Sequence, residues 1–174
     1  NDMRSRFFGK EGSVKSVIQR LQYSQGYHHF YSDITSEDEI SKIFSKVRPD
    51  VIIHCAAQPS HDKAASIPIL DFNVNAFGTI NLLENTRIHC NENAVFIHMS
   101  TNKVYGDGPN NLNFTESEKR YSFKDDIFFN GIDEGFPIDN CLHSLFGASK
   151  VSADIVAQEY GRYFGMNVGI FRGG

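Results

Sequence analysis

Hydrophobic positions fall into two alternating patterns along this chain. Val14, Val17, Ile18 and Leu21 recur at helical spacing within 13–23, which predicts a helix ended by Gly26. The spacing returns at Ile40, Ile43, Phe44 and Val47, and again at Leu70, Val74, Phe77, Ile80, Leu82 and Leu83. A fourth helix is predicted over 145–164, with Val151, Ile155, Val156 and Tyr160 along one side. Between these stretches lie short, almost unbroken apolar runs at 51–56 and 94–99. Such runs are the pattern of parallel strands buried on both faces. Residues 167–171 read as the last strand, and 27–30 lead into a further short one closing on Asp33-Ile34.

Polar residues punctuate the pattern. Ser36 and Glu39 have the spacing of a capping box at the start of the second helix, and Pro49 stops it. Residues 1–8 are polar and aromatic and read as a loop ending in Gly9. Residues 107–139 are polar, Asn-rich and studded with Phe without clear periodicity, which reads as a long functional loop. Strands alternating with helices predict an α/β fold: a doubly wound parallel sheet covered on both faces, with 1–174 as one domain. Ligands of such sheets sit beyond the carboxyl ends of the strands. The polar positions worth weighing therefore follow strands: Asp33, Ala56-Ala57-Gln58, Ser100-Thr101 and Arg172.

Composition excludes several partners. With 174 residues, 40% of them hydrophobic, the chain can bury a sizeable core. A net charge of −4 without any Lys/Arg run leaves no electrostatic footprint for nucleic acid or an anionic membrane. No apolar stretch reaches the roughly 20 residues that a membrane span needs, and no signal-peptide pattern is present. Cys55, Cys90 and Cys141 are odd in number and widely spaced. That favours a reducing compartment, the cytoplasm by default, over a disulfide framework. The chain opens on Asn1-Asp2-Met3 and stops at Gly174 directly after an apolar strand. Both ends read as cut, and an internal piece of a longer protein is expected.

Ser100-Thr101 after a strand is, taken alone, ordinary turn chemistry. Its weight comes from Phe146-x-x-x-Lys150 further along, where one helical turn puts a ring tip and an ammonium on the same face. The other matching features are Val51-Ile52-Ile53-His54-Cys55-Ala56-Ala57 and Asn75-x-x-Gly78-Thr79-x-Asn81-Leu82-Leu83-Glu84. Ser100-Thr101-x-x-Val104-Tyr105-Gly106, Ser149-Lys150 and Phe171-Arg172 complete the order. In these features the chain resembles the extended short-chain dehydrogenase/reductases, the NAD-dependent nucleotide-sugar epimerases and dehydratases. Ser100-Thr101-Asn102-Lys103-Val104-Tyr105-Gly106 and the opening Asn1-Asp2-Met3-Arg4 lean toward the CDP-paratose 2-epimerase branch.

The resemblance implies a Rossmann-like NAD-binding domain and a nucleotide-sugar substrate. Thr101 would hydrogen-bond the sugar hydroxyl being oxidised, and Lys150 would hold the nicotinamide ribose and keep the local potential positive. Asn1, Asp33 and Ile34 would lie along the adenosine half. Ala56, Ala57, Gln58, Ser100 and Arg172 would line the cofactor at the strand ends, with Asn75 supporting the site from the helix behind. The glycine-rich pyrophosphate loop and the acid at the adenine ribose would precede Asn1, and the substrate domain would follow Gly174. Asp2 can stand in for that acid, while Arg4 leaves NAD versus NADP open. A homo-oligomer is compatible with the sequence, which does not reveal the stoichiometry.

Phe146 departs from the family, where a Tyr phenolate takes the hydroxyl proton. His143 at the helix entrance is a candidate substitute base and Tyr105 another, each with a structural role as the ordinary alternative. His61-Asp62 is placed to touch nucleotide or sugar, and the spacings of His54, His61 and His98 match no metal site. Family dehydratases carry an acidic pair after the Ser/Thr to protonate a departing hydroxyl, and this chain has Asn102-Lys103 there. The expected activity is therefore epimerisation: hydride passes to NAD, a keto-sugar forms, and hydride returns to the opposite face. A nucleotide-sugar dehydratase or reductase is the alternative enzyme. A non-catalytic NAD- or nucleotide-binding regulator is the alternative that Phe146 favours.

Overall fold

The computed structural model describes residues 1–174. Its central sheet has three parallel strands, β1 (Val51–His54), β2 (Val95–Thr101) and β5 (Asn167–Gly173), in that spatial order. Val51 pairs with Val95 and His54 with His98, while Val95 pairs with Asn167 and Ser100 with Arg172. The crossover from β1 to β2 runs through α4 (His61–Ala64), α5 (Pro68–Phe72) and α6 (Gly78–His89), and that from β2 to β5 through α7 (Ser144–Phe164). The result is a Rossmann-like α/β fold.

Winding direction decides which face is covered. The strand order advances one way only, and parallel crossovers are right-handed, so both helical layers lie on one side. There Ile40 and Phe44 of α3 (Glu37–Val47), Leu82 and Leu83, Phe96, Ala157 and Tyr160 form the core. The other face is open: Val51 is 55% exposed, Ile53 62%, Met99 42% and Phe171 57%. Coverage on both faces, expected from the unbroken apolar runs, is thus absent, because no crossover in this chain winds the opposite way from β1.

α5 and α6 are joined by a π-helical turn, Asn73–Phe77, which follows the helix begun at Pro68 and places Asn75 on the buried side. Gly78 comes next, and a Cβ there would lie 2.5 Å from Ile34 Cδ1. Any side chain at 78 would force the Ile34 side chain to move, so glycine lets this helix seat closely on the turn around Ile34. α7 ends at Gly165, left-handed at φ 68°, whose N–H bonds Tyr160 O.

Four local expectations are corrected. Residues 1–8 are not a loop: Met3–Phe8 form α1, followed by α2 (Lys15–Leu21). Asp2 ties the two together, accepting from Ser13 Oγ at 2.7 Å and Val14 N at 3.1 Å. Residues 27–34 form no strand, since no neighbouring strand pairs with them. The capping box does not close, because Ser36 N bonds Asp33 O at 3.0 Å. Glu39 instead reaches one turn further back, to Ser32 Oγ at 2.7 Å and Asp33 N at 3.2 Å. Within 107–139 lie a hairpin of β3 (Phe114–Glu116) and β4 (Tyr121–Phe123) and its own aromatic row, Phe114, Phe123, Phe128 and Phe136, with centroid spacings of 5.1–6.0 Å.

Candidate functional site

The carboxyl ends of β1 and β2 open onto two buried polar networks with Lys150 between them. The first is built on Gln58, fully buried just after β1. Its backbone N–H donates to Asn75 Oδ1 at 2.9 Å, and its Nε2 to Asp71 Oδ1 at 2.6 Å and Ser60 O at 2.9 Å. Asn75 Nδ2 donates to Ser149 Oγ at 3.0 Å, and the Ser149 hydroxyl donates to Asp71 Oδ2 at 2.5 Å. The side chains of Gln58, Asp71, Asn75 and Ser149, all almost fully buried, thus lock the strand end, the π turn and α7 together. In low dielectric such a network is worth most when every member is satisfied.

The second network centres on Asp154, which is 0% exposed. Arg172 grips it with Nε on Oδ2 at 3.0 Å and Nη2 on Oδ1 at 2.9 Å. Ser100 Oγ adds a bond of 2.6 Å and Gln158 Nε2 one of 2.8 Å. Burial alone would raise the Asp154 pKa, but the hydrogen bonds from Arg172, Ser100 and Gln158 outweigh it and hold the carboxyl below its ordinary range. Arg172 Nη1 also donates to Tyr105 Oη at 3.0 Å, and that hydroxyl donates to Asp133 O at 3.1 Å.

Lys150 is only 5% exposed. An ammonium has three N–H donors, and one of them meets Met99 O at 3.3 Å. Burial lowers its pKa, and the carboxylates of Asp154 and Asp71 pull it partly back. Nearby, His54 and His98 are register partners with ring centroids 5.3 Å apart. Burial is the main cause that pushes them down, to about 3 and about 4 respectively, so both rings are neutral near pH 7. Thr79 Oγ1 gives its proton to Asn75 O at 2.6 Å, so the 2.9 Å contact to His54 Nε2 is donated by the imidazole.

The strand-end candidates separate into groups. Asn1, Asp33, Ile34, Ala56 and Ala57 line one cavity of about 360 Å³, together with Arg4, Phe7 and Val74. Asn1 Nδ2 is bonded to Asp33 Oδ2 there. Ser100 and Arg172 are spent on Asp154 rather than turned toward that cavity, and Arg172 lines a second one of about 820 Å³ with Asn102, Lys103 and Tyr105. Thr101 Oγ1 caps the short turn after β2 by accepting from Lys103 N at 3.3 Å. His143 is pinned between backbone carbonyls, with Nε2 2.6 Å from Ile138 O and Nδ1 3.3 Å from Lys103 O. At 2.6 Å a proton must lie on Nε2, which leaves no free lone pair on that nitrogen. The Phe146 ring packs edge-on against His61, with centroids 6.0 Å apart.

Sequence reasoning passed over Asp71 and Asp154. Both carried a signal: Asp71 stands four residues before Asn75 and Asp154 four after Lys150, one turn along the same buried face. An acid on the buried side of a helix needs a partner, and each has one.

A family model described as GDP-mannose 4,6 dehydratase matches residues 4–172. CDP-paratose 2-epimerase of Salmonella typhi is 37% identical over 163 residues, which cover 92% of this chain and 46% of that enzyme. dTDP-glucose 4,6-dehydratase of Salmonella typhimurium is 27% identical over 162 residues, covering 89% of this chain and 42% of its own length. Among solved structures, UDP-glucose 4-epimerase of Thermus thermophilus, in complex with NAD, superposes with a TM-score of 0.64 at 25% identity. That match covers 88% of this chain and 42% of the epimerase. The chain therefore spans about half the length of the curated relatives it matches. No helix is long and apolar enough to cross a membrane.

Proposed function

The chain belongs to the GDP-mannose 4,6-dehydratase family of NAD-dependent epimerases and dehydratases, and from that premise we propose that it forms the NAD-binding part of a CDP-sugar epimerase. The residues at the strand ends fit NAD. Ala56 and Ala57 keep the wall of the 360 Å³ cavity low beside Asp33 and Ile34, a volume in the range of small-molecule sites. Lys150 brings a buried ammonium with spare donors to the adjoining strand end, suited to a ribose diol. Asn75 acts through Gln58 and Ser149, holding the strand end and the Lys150 helix in register.

When bound, NAD supplies a hydride acceptor that later returns the hydride. The chain's own residues orient and protect that exchange. Thr101 hydrogen-bonds the reacting sugar hydroxyl, and Lys150 holds the nicotinamide ribose and favours negative charge on the reacting oxygen. Ser100 and Arg172 act indirectly, by fixing Asp154 one turn from Lys150. His143 keeps the entrance of α7 in place.

The observation that carries epimerisation over dehydration is the turn after Thr101. Asn102 and Lys103 stand there, so this turn itself supplies no carboxylic acid to protonate a leaving hydroxyl. The likeness to CDP-paratose 2-epimerase supports the choice of a CDP-sugar. Incubating the intact protein with CDP-hexoses and reading product mass tests this: an epimer keeps the substrate mass, and a dehydrated product loses water. Phe146 supports a second reading, a binding-only regulator that kept the cofactor scaffold; it predicts no conversion of any CDP-sugar and a gain of activity in Phe146→Tyr.

A further inference from the structure

Resting on the epimerase reading, the geometry points to His61 as the group that takes the sugar hydroxyl proton in place of the phenol Phe146 lacks. His61 is the residue whose ring stands against Phe146, at 6.0 Å between centroids and 65° between planes. Its backbone is fixed: it opens α4, whose first turn is capped by Ser60 Oγ accepting from Lys63 N at 3.3 Å. Ser60 is itself held by Gln58, through a bond of 2.5 Å from Ser60 N to Gln58 Oε1. The buried network that anchors Asn75 and Ser149 thus also holds the start of α4 against α7, where the His61 ring meets Phe146.

The imidazole has the right free valence. Nδ1 lies 3.5 Å from Asp62 Oδ1, and a carboxylate only accepts, so the tautomer that makes this contact carries its proton on Nδ1. Nε2 then presents a lone pair, and its side chain is 55% exposed and open to a ligand. The other candidates lack this. His143 carries its Nε2 proton toward Ile138 O and has its Nδ1 turned against Lys103 O at 3.3 Å, Tyr105 is bound to Asp133 O and Arg172, and His54 and His98 are sealed in the core.

The step balances with bound NAD as its one oxidant, regenerated when the hydride returns. With NAD bound as the hydride acceptor, the sugar O–H bond would break with its proton passing to His61 Nε2, the C–H hydrogen would leave with its electron pair to the acceptor, and the carbon–oxygen bond would become a carbonyl. On return of the hydride to the opposite face, Nε2 would give the proton back to the oxygen.

The test uses the intact NAD-loaded protein and the CDP-hexose it converts. His61→Gln is expected to slow formation of reduced nicotinamide in a single turnover by about 10²–10⁴-fold with little change in KM, the loss typical of a missing general base. Adding Phe146→Tyr to His61→Gln is expected to recover at least about tenfold of that rate, because a phenol then stands in the vacated role. A second readout needs no turnover: NAD plus CDP-glucose should protect His61, and not surface His28, from diethylpyrocarbonate. A His61→Gln variant within twofold of wild type, or no recovery by Phe146→Tyr, or unprotected His61 in a protein that turns over, overturns the assignment of His61 alone. A wild type inert toward every CDP-sugar removes the epimerase reading and the assignment with it.

Discussion

The Ser149 hydroxyl donates to Asp71 Oδ2 at 2.5 Å, across the interface between α7 and α5. Ser149 immediately precedes Lys150, so this bond sets the rotation of α7 at the point where its ammonium enters the site. Removing the hydroxyl leaves a buried carboxylate oxygen and Asn75 Nδ2 short of a partner. Ser149→Ala is expected to cost about 1–3 kcal/mol, read as a lower urea midpoint at unchanged m-value.

Asp154 and Arg172 form a pair of different character, buried and bidentate. Breaking one side strands a charge, so Asp154→Ala should destabilise by about 3–5 kcal/mol. Asp154→Leu combined with Arg172→Met should recover most of that loss, since neither charge is then left alone. The carboxyl is held below its ordinary range, so it binds fewer protons folded than unfolded. Its contribution is therefore complete above the unfolded value of about 3.9 and disappears as pH falls through the lower folded one. The Asp154→Leu/Arg172→Met protein should show a flatter acid limb.

His54 and His98 give a second acid dependence at higher pH. Both are neutral in the fold, displaced to about 3 and about 4, whereas unfolded imidazoles take up a proton near pH 6.5. The unfolded chain thus binds more protons in this window, and stability falls as pH drops from about 6.5 toward about 4. Each histidine contributes up to about 1.4 kcal/mol per pH unit. Denaturant titrations at pH 7, 6 and 5 should show the decline. In His98→Leu the slope should roughly halve, without loss at pH 7, because His98 has no hydrogen-bond partner on either ring nitrogen.

The 174-residue chain contains no Gly-x-x-Gly-x-x-Gly loop, so the pyrophosphate of NAD has no backbone cradle within it. Calorimetry on this chain alone should find weak NAD binding. A micromolar or tighter constant would mean that the cavity beside Asp33 and Ala56 suffices.

Much of the fold was legible because its signals are periodic. The helices around Phe44, Leu83 and Val156 and the strands at Ile52 and Phe96 follow from spacing alone. Face coverage was not, since an apolar run such as 51–54 looks the same whether one face or two are buried; strand order decides that, and order is a long-range property. The capping box failed for a local reason, a competing bond from Ser36 N to Asp33 O. At the site, motif residues located the strand ends, and Asn1, Asp33, Ile34, Ala56 and Ala57 do share a cavity. The partners of Ser100 and Arg172 were invisible because Asp154 lies 54 positions from one and 18 from the other. Likewise, nothing in sequence spacing relates His61 to Phe146; only the packing of α4 on α7 does.

On the epimerase reading, hydride leaves and returns at one carbon within one bound sugar. The direct measurement is conversion by the intact protein of a CDP-sugar deuterated at the carbon whose configuration changes. The expected product is an epimer of unchanged mass with the deuterium retained at that carbon. Loss of water, replacement of deuterium by solvent hydrogen, or no conversion at all would contradict it.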